Sequence, residues 1–355
     1  MKIFSRIFDT FMARRMLLGL LCILIYVSCA PEDNPSSENT IKVGTYNLWC
    51  SDSRLKYINN DSGIDRQRFW NTSAEAVAEI VSDMDCDVYA FQEICDSIYG
   101  KKGQATSLKN LMGDDFEWKI WSNVDGSPVS LSSGKLSYSP GICYRKGVVA
   151  FLDGGVFWLG GNPAKPEFVR SDSFDPQYGD PKRACQWARM RHKASGKVFY
   201  FLSAHLDTRS FSGVSYPMVN EENCRNLMAH ADRYIVPEGM PSIIAADMNT
   251  GIELSSGKVH KGYSILTDNQ GRRHEWKDAY VLAGQAGVLG QTAALSPVTT
   301  NSSKGDRMGN ARIDHVFVEG LQVTGYEICQ KKYKTENGSE HYPSDHFPVI
   351  VTLKF

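Results

Sequence analysis

Near its C-terminus the chain reads His341-Tyr-Pro-Ser-Asp-His-Phe-Pro-Val-Ile-Val-Thr-Leu-Lys-Phe355, so two titratable groups, Asp345 and His346, stand where an apolar strand begins. The same juxtaposition recurs along the chain. Asn47 closes Ile41-Lys-Val-Gly-Thr-Tyr-Asn, and Glu93 closes Asp87-Val-Tyr-Ala-Phe-Gln-Glu. His205 and Asp207 follow Lys197-Val-Phe-Tyr-Phe-Leu-Ser-Ala, Asp247 and Asn249 follow Ser242-Ile-Ile-Ala-Ala, and Asp314 with His315 sits inside Ala311-Arg-Ile-Asp-His-Val-Phe-Val. Taken singly, each polar group has a bland explanation, because Asp and Asn are ordinary turn formers. Taken together they close nearly every strand that the sequence predicts, and strand ends of one sheet lie along one rim, where convergent polar groups make a site. Carboxylates and carboxamides are hard oxygen ligands that favour Mg²⁺ or Mn²⁺ over zinc. A cation of that kind offsets charge on phosphoryl oxygens, while Asp or His moves protons to and from water and the leaving group. The chemistry that suits this set is metal-assisted hydrolysis of a phosphate ester.

The elements that must hold these groups are legible from periodicity. β-branched and aromatic residues from Ile41 to Asn47 predict a strand, and the nearly continuous apolar run ending at Glu93 predicts a buried one. Between them Phe69, Ala76, Val77, Ile80, Val81 and Met84 fall at the spacing of an amphipathic helix over about Asp65 to Met84. A second helix is expected over Asn220 to Ile235. Polar, Gly- and Ser-rich stretches at roughly 96–141, 160–182 and 250–310 read as loops or small insertions.

In order, Thr45-Tyr-Asn-Leu, Phe91-Gln-Glu, Ala204-His-Leu-Asp, Ala246-Asp-Met-Asn, Arg312-Ile-Asp-His and Ser344-Asp-His-Phe-Pro-Val resemble the motifs of the endonuclease/exonuclease/phosphatase superfamily. Its members include deoxyribonuclease-I-like nucleases, apurinic endonucleases, inositol polyphosphate phosphatases and neutral sphingomyelinases. The resemblance implies an α/β (α+β) fold over residues 41–355, a four-layer sandwich of two packed, mainly antiparallel sheets flanked by helices. It implies Glu93 as the principal Mg²⁺ ligand, with Asn47 and Asp345 in the metal and phosphate shell. His346 would act on the attacking water or bind a phosphoryl oxygen, oriented by Asp314. Asp247 would be base or acid, Asn249 a phosphate or transition-state binder, and His205 a phosphate contact or an aid to the leaving group. Pro181-Lys-Arg-Ala-Cys-Gln-Trp-Ala-Arg-Met resembles a family strand that offers Arg183 as a phosphate contact, the alternative being a surface arginine. Tyr144 and Asp207 are further candidates on the substrate side. His315 stands where many members carry an aromatic residue, and packing on the opposite face would explain it. Because neighbouring side chains of a strand point to opposite faces, Asp345 and His346 read as two half-sites rather than one dyad.

The 355 residues are 42% hydrophobic and 22% charged, which suits a large globular core. Lys2, Arg6, Arg14 and Arg15 precede a twelve-residue apolar run, Met16 to Val27, too short to span a bilayer and typical of a secretory signal. Cys29 follows it and resembles a lipoprotein processing site, with Tyr26 where such sites usually carry Leu. The expectation is a signal over 1–28, a flexible tether over 29–40, and an exported monomer held to a bacterial envelope membrane by lipid on Cys29. Without residues 1–28 the chain carries 35 Lys and Arg against 39 Asp and Glu, a formal charge of −4. That gives no support to a broad electrostatic grip on nucleic acid. With Cys22 and Cys29 set aside, seven cysteines remain without C-x-x-C spacing, so structural zinc is not expected, while export would permit disulfides. The function expected is a Mg²⁺- or Mn²⁺-dependent phosphoesterase acting on a phosphodiester or phosphomonoester of small-molecule or lipid type. The alternatives are an extracytoplasmic DNA or RNA endonuclease and an inactive binder of a phosphorylated ligand.

Overall fold

The computed structural model describes residues 39–49, 66–94, 97–98, 101–102, 104–131, 139–166, 183–208, 210–211, 214–215, 217–300, 309–334, 338 and 340–355. The predicted signal and Cys29 lie outside the described residues. Among those residues, no helix is long and apolar enough to cross a membrane.

Alternation along the strands builds two sheets with three apolar layers between and around them. The first sheet has β1 (Thr40–Asn47), β2 (Val88–Ile94), β3 (Phe116–Lys119), β4 (Ser139–Arg145), β11 (Gln322–Ile328) and β12 (Val349–Lys354), in the order β11-β12-β1-β2-β4-β3. The second has β5 (Val149–Trp158), β6 (Ala184–His192), β7 (Val198–His205), β8 (Ser242–Glu253), β9 (Lys277–Asp278) and β10 (Ala311–Glu319), in the order β9-β10-β8-β7-β6-β5. Inward faces meet in a core that includes Val43, Val88, Ala90 and Val351 from the first sheet and Phe199, Phe201, Ile243 and Val316 from the second. The outward face of the first sheet is covered by α1 (Arg66–Met84), through Val77, Ile80, Val81 and Met84, and by α2 (Gln104–Met112), through Leu108. The outward face of the second is covered by α3 (Pro217–His230), through Cys224, Leu227 and Met228, and by α4 (Lys261–Thr267), through Tyr263 and Leu266. This is the four-layer sandwich. Each sheet has a single parallel pair, β1 with β2 and β7 with β8, and the other pairings are antiparallel.

Those two parallel pairs decide where a site can form. In each, the chain runs strand, helix, strand (β1-α1-β2 and β7-α3-β8), so both strands end on the same rim. Ligands in such arrangements bind outside the carboxyl ends. Two departures from the sequence expectation follow from packing. The predicted second helix begins three residues earlier, at Pro217, and ends in a π turn over Ala231–Ile235. The region 250–310 is more than loop: it contains α4, β9, α5 (Ala279–Ala286) and α6 (Gln291–Leu295), whose Ala-rich faces seat Ala279, Ala283 and Ala293 in the inter-sheet core. Cys86, Cys143, Cys185, Cys224 and Cys329 are free thiols.

Candidate active site

Strand register brings the polar residues together. Asn47 stands opposite Gln92 in the parallel pair β1/β2, one residue before Glu93. Asp247 stands opposite His205 in β7/β8 and opposite Asp314 in the antiparallel pair β8/β10. β12 runs antiparallel to β1, with Val349 beside Thr45, so residues 344–346 arrive at the same rim from the other direction.

Asn47 ties the sheets to each other. Its Nδ2 donates to Glu93 Oε1 at 3.2 Å and, across the sandwich, to Asp247 Oδ2 at 2.9 Å. Its own Oδ1 accepts from Trp49 N at 2.9 Å, which fixes which way the carboxamide points. Ser344 Oγ donates to the Asn47 carbonyl at 2.7 Å and accepts from His346 N at 3.2 Å, locking the C-terminal segment to β1.

His346 lies between two buried carboxylates: Nδ1 is 2.9 Å from Asp314 Oδ2 and Nε2 is 3.8 Å from Asp247 Oδ2. Burial works against its charge, but Asp314 and Asp247 outweigh it and raise the imidazole pKa well above its ordinary value. Burial alone would likewise push Asp247 up, yet the charge of His346 and hydrogen bonds from His205 and Asn47 hold its carboxyl well below the usual range. Asp314 is pushed up, first by burial and then by the Asp247 charge, with His346 pulling it back. Asp314 Oδ1 is buried and has no hydrogen-bond partner among the described residues.

His205 is oriented from behind. Arg183 Nη1 is 3.1 Å from His205 Nδ1 and Arg183 Nε donates to Asp207 Oδ1 at 2.8 Å. A guanidinium only donates, so Nδ1 accepts and the ring proton sits on Nε2. That nitrogen faces Asp247 Oδ2 at 3.3 Å and Glu93 Oε1 at 4.0 Å. The Asp207 backbone is anchored by α3, whose Asn223 accepts from its N–H at 2.8 Å and whose Asn220 donates to its carbonyl at 2.7 Å. Asn220 also donates to Met248 O at 2.9 Å, tying the loop after β7 to β8. Asn249 donates to Leu206 O at 2.9 Å, and its backbone N–H reaches Asp247 Oδ1 at 2.9 Å.

The structure thus joins Asn47, Glu93, Arg183, His205, Asp207, Asp247, Asn249, Asp314 and His346 in one network. Asp345 is half-buried in the bend before β12, beside His346, whose charge it also favours. One substrate-side expectation changes. Tyr144 pairs with Val88, five residues before Glu93 on β2, which places it about 16 Å along the strand from the rim. It is nearly fully buried, and its hydroxyl donates to Glu117 Oε2 at 2.6 Å, so its role is in packing. One oxygen of the Asp207 carboxylate, Oδ1, is taken by Arg183 Nε, which ties Asp207 to the Arg183–His205 pair. Ser344, Asn220 and Asn223 were missed by sequence reasoning, since helix asparagines and a serine before an Asp carry no pattern of their own. Thr299 was missed for the same reason: its Oγ1 accepts from Ile313 N and Asp314 N and positions the start of β10.

A family model described as the Endonuclease/Exonuclease/phosphatase family matches residues 44–346. The chain belongs to this family. Solved structures similar to it include an endonuclease/exonuclease/phosphatase family protein and a mannosyl-6-phosphatase, both from Bacteroides thetaiotaomicron. Each has a TM-score of 0.65 at 20% identity over 89% of this chain, and they are covered over 98% and 100% of their own lengths. A D. rerio TDP2 complexed with a single strand DNA product is similar at a TM-score of 0.56 and 15% identity, covering 89% of this chain and 99% of that one. No curated protein gives a match. At these identities the structures establish the shared fold. Members of the endonuclease/exonuclease/phosphatase family are hydrolases acting on phosphate esters, and the rim of this sandwich has the polar groups that such chemistry needs.

Proposed function

We propose that the chain is a phosphoesterase dependent on Mg²⁺ or Mn²⁺, hydrolysing a phosphomonoester or phosphodiester of small-molecule or lipid type by attack of water. The observation that carries this reading is His346 seated between Asp314 and Asp247, with Asn47 linking Asp247 to Glu93 across the sandwich. The donor set fits a hard cation on the Glu93 side. Asp247, Asp314 and His346 also lie close enough to ligate an ion, but there the imidazolium already supplies the positive charge between the carboxylates. On the Glu93 side, Glu93 brings a carboxylate, with Asn47 Nδ2 at 3.2 Å and His205 Nε2 at 4.0 Å from its Oε1, and Asp345 is proposed as a further oxygen ligand. A divalent cation bound there would neutralise charge gathering on the phosphoryl oxygens.

The chain's own groups have distinct parts. Asp247, held ionised, can take the proton of the attacking water. His346, held protonated, donates to a phosphoryl oxygen and gains from Asp314 the orientation to do so. The His205 Nε2–H and the Asn249 carboxamide add neutral donors that grip phosphate without raising the negative charge of the site. Arg183 supports this arrangement through His205 and Asp207.

A small or lipid substrate is favoured by the charge of −4 left after residues 1–28, because a polyanion is held chiefly by basic contacts to its phosphates. The Bacteroides mannosyl-6-phosphatase illustrates that this fold serves small phosphate esters. The TDP2 complex keeps a nuclease as the second reading. The enzyme is further proposed to act in the cell envelope, anchored by lipid on Cys29. The deciding assay takes purified residues 30–355 with Mg²⁺, Mn²⁺ or EDTA against hexose 6-phosphates, inositol phosphates, sphingomyelin, generic phosphate mono- and diesters, plasmid DNA and RNA. Chelator-sensitive turnover of a small ester is expected. Turnover of DNA or RNA alone would select the second reading, and no turnover of any would refute both.

A further inference from the structure

Behind the rim lies a second set of buried polar groups that the proposed reaction does not touch. Arg312 is 2% exposed, and its Nη1 donates to Asp278 Oδ2 at 2.7 Å. The same oxygen accepts from the Tyr263 hydroxyl at 2.7 Å, while Asp278 Oδ1 caps α5 by accepting from Tyr280 N at 2.9 Å. A buried ion pair is weak evidence for stability, since an apolar set of similar volume often holds elements together as well. What this pair does hold is His315. Its Nε2 is 3.0 Å from Thr250 O, an atom that only accepts, so Nε2 carries a proton. The other nitrogen, Nδ1, rests on the ion pair itself, 3.0 Å from Arg312 Nη1 and 3.2 Å from Asp278 Oδ2. Whichever of the two engages Nδ1, the Nε2–H stays aimed at the backbone one residue past Asn249.

That backbone is the irregular part of β8. Pairing with β10 runs to Asp247 opposite Asp314, loses register, and resumes with Ile252 opposite Arg312. The bulged segment carries Asn249 at φ 50°, in the left-handed region. Its far end is pressed onto β10 so closely that a Cβ on Gly251 would lie 1.7 Å from Arg312 O. Thr250 and Gly251 are therefore gripped by the His315 side chain and by the backbone of Arg312, and the side chains of both residues are fixed by Asp278.

We infer that His315 is a positioning residue of the active site: seated on the Asp278–Arg312 pair, it holds the Thr250 carbonyl and so sets the bulge that presents Asp247 and Asn249. The kinetic consequence rests on the phosphoesterase reading; the structural one does not. The test compares His315→Gln, which keeps an N–H for the Thr250 carbonyl, with His315→Met, of nearly the same length and without one. Amide hydrogen exchange over 248–251 is measured without substrate, alongside Tm, kcat and KM on the best ester found in the panel above. In the Met variant, exchange should quicken over 248–251 alone. Since displacements on the order of 1 Å cost about 100-fold in rate, its kcat should fall by about tenfold or more with KM within about twofold. The Gln variant should restore both exchange and kcat to within about threefold of the parent. Equal behaviour of the two variants, a loss that tracks Tm or global exchange, or failure of both to fold would overturn the assignment. If the parent turns over no ester, the functional reading fails, and local exchange in Met against Gln still decides the role of His315.

Discussion

Replacing Asp314 by Asn keeps the shape of the side chain, and a carboxamide oxygen can still accept from His346 Nδ1, so the change removes charge while leaving orientation possible. The Nδ1 to Oδ2 separation is 2.9 Å, a charge-assisted hydrogen bond. Such bonds contribute about 1.5–3 kcal/mol, and one pKa unit corresponds to about 1.4 kcal/mol. The His346 pKa should therefore fall by about one to two units, with Asp247 at 3.8 Å still supporting part of the charge. If protonated His346 donates in the reaction, the alkaline limb of the kcat/KM profile moves down by the same amount. On that limb activity then drops by about 10- to 100-fold. For stability the two groups of the pair oppose each other. The folded pKa of Asp314 is raised above its ordinary 3.8, so above that pH its ionised form opposes folding. But Asp314→Asn also removes the bond that holds the His346 charge, and the net loss at neutral pH should stay within about 1.5–3 kcal/mol. The assays are a kcat/KM profile across pH at fixed divalent concentration and a urea titration of parent and variant. An alkaline limb that does not move, or a rate on that limb within a few-fold of the parent, would refute the assignment of His346 as a protonated donor.

Other outcomes follow from the same geometry. Glu93→Gln should weaken divalent binding, read by calorimetry, by about tenfold or more, and abolish chelator-sensitive turnover. Asn220→Ala leaves the carbonyls of Asp207 and Met248 without their shared donor and should cost about 2–3 kcal/mol in a urea titration, with a loss of kcat beyond that. Gly251→Ala forces a Cβ into Arg312 O and should destabilise by about 3 kcal/mol or more, again by urea titration. Cys29→Ser should abolish metabolic lipid labelling of the full chain, and persistent labelling would rule out the anchor.

The sandwich and most of the rim were legible because both rest on local pattern. The apolar runs that end at Asn47, Glu93, His205 and Asp247 are strands whose register then places those ends side by side. Strand alternation predicted the separation of Asp345 from His346, but both precede β12, in a bend and an isolated bridge, so alternation does not act there, and it is Asp314 that bonds the His346 ring. What was illegible is what depends on partners distant in sequence. Tyr144 sits on a plausible strand, but only pairing with Val88 reveals that it is at the wrong end of the sheet. Arg183 looked like a phosphate contact or a surface arginine, and only the fold shows it behind His205, 22 residues on. Asn220 acts from inside a helix whose surface pattern is otherwise ordinary. The short helices of 250–310 hide behind a Gly- and Ser-rich composition, because their small residues pack by closeness of approach and not by an apolar stripe.

Backbone strain points to the same rim as the side chains do. Among the described residues, the non-glycine positions with positive φ are Trp49, Asp85, Glu93 and Asn249. Three of these four lie at the rim, Trp49 and Glu93 at strand ends and Asn249 in the bulge of β8, and left-handed conformations of such residues cost roughly 1–2 kcal/mol each. Strain of this kind persists only where surroundings over-determine it, and here they do: Trp49 N is held by Asn47 Oδ1, and Asn249 by Asp247 Oδ1 and Leu206 O. A regular strand would carry each of these residues onward past the rim and out of the network. The left-handed residue Glu93 stands one residue before the end of β2, and Asn249 lies in the bulge where β8 breaks its pairing with β10 before resuming it. Each keeps its side chain beside its neighbours. One such residue lies beside the end of a parallel pairing in each sheet, and Asn47 joins the two pairs. The network therefore depends on how the sheets are held against each other, which makes the inter-sheet tie from Asn47 to Asp247, and not any single strand, the element on which catalysis should prove most sensitive.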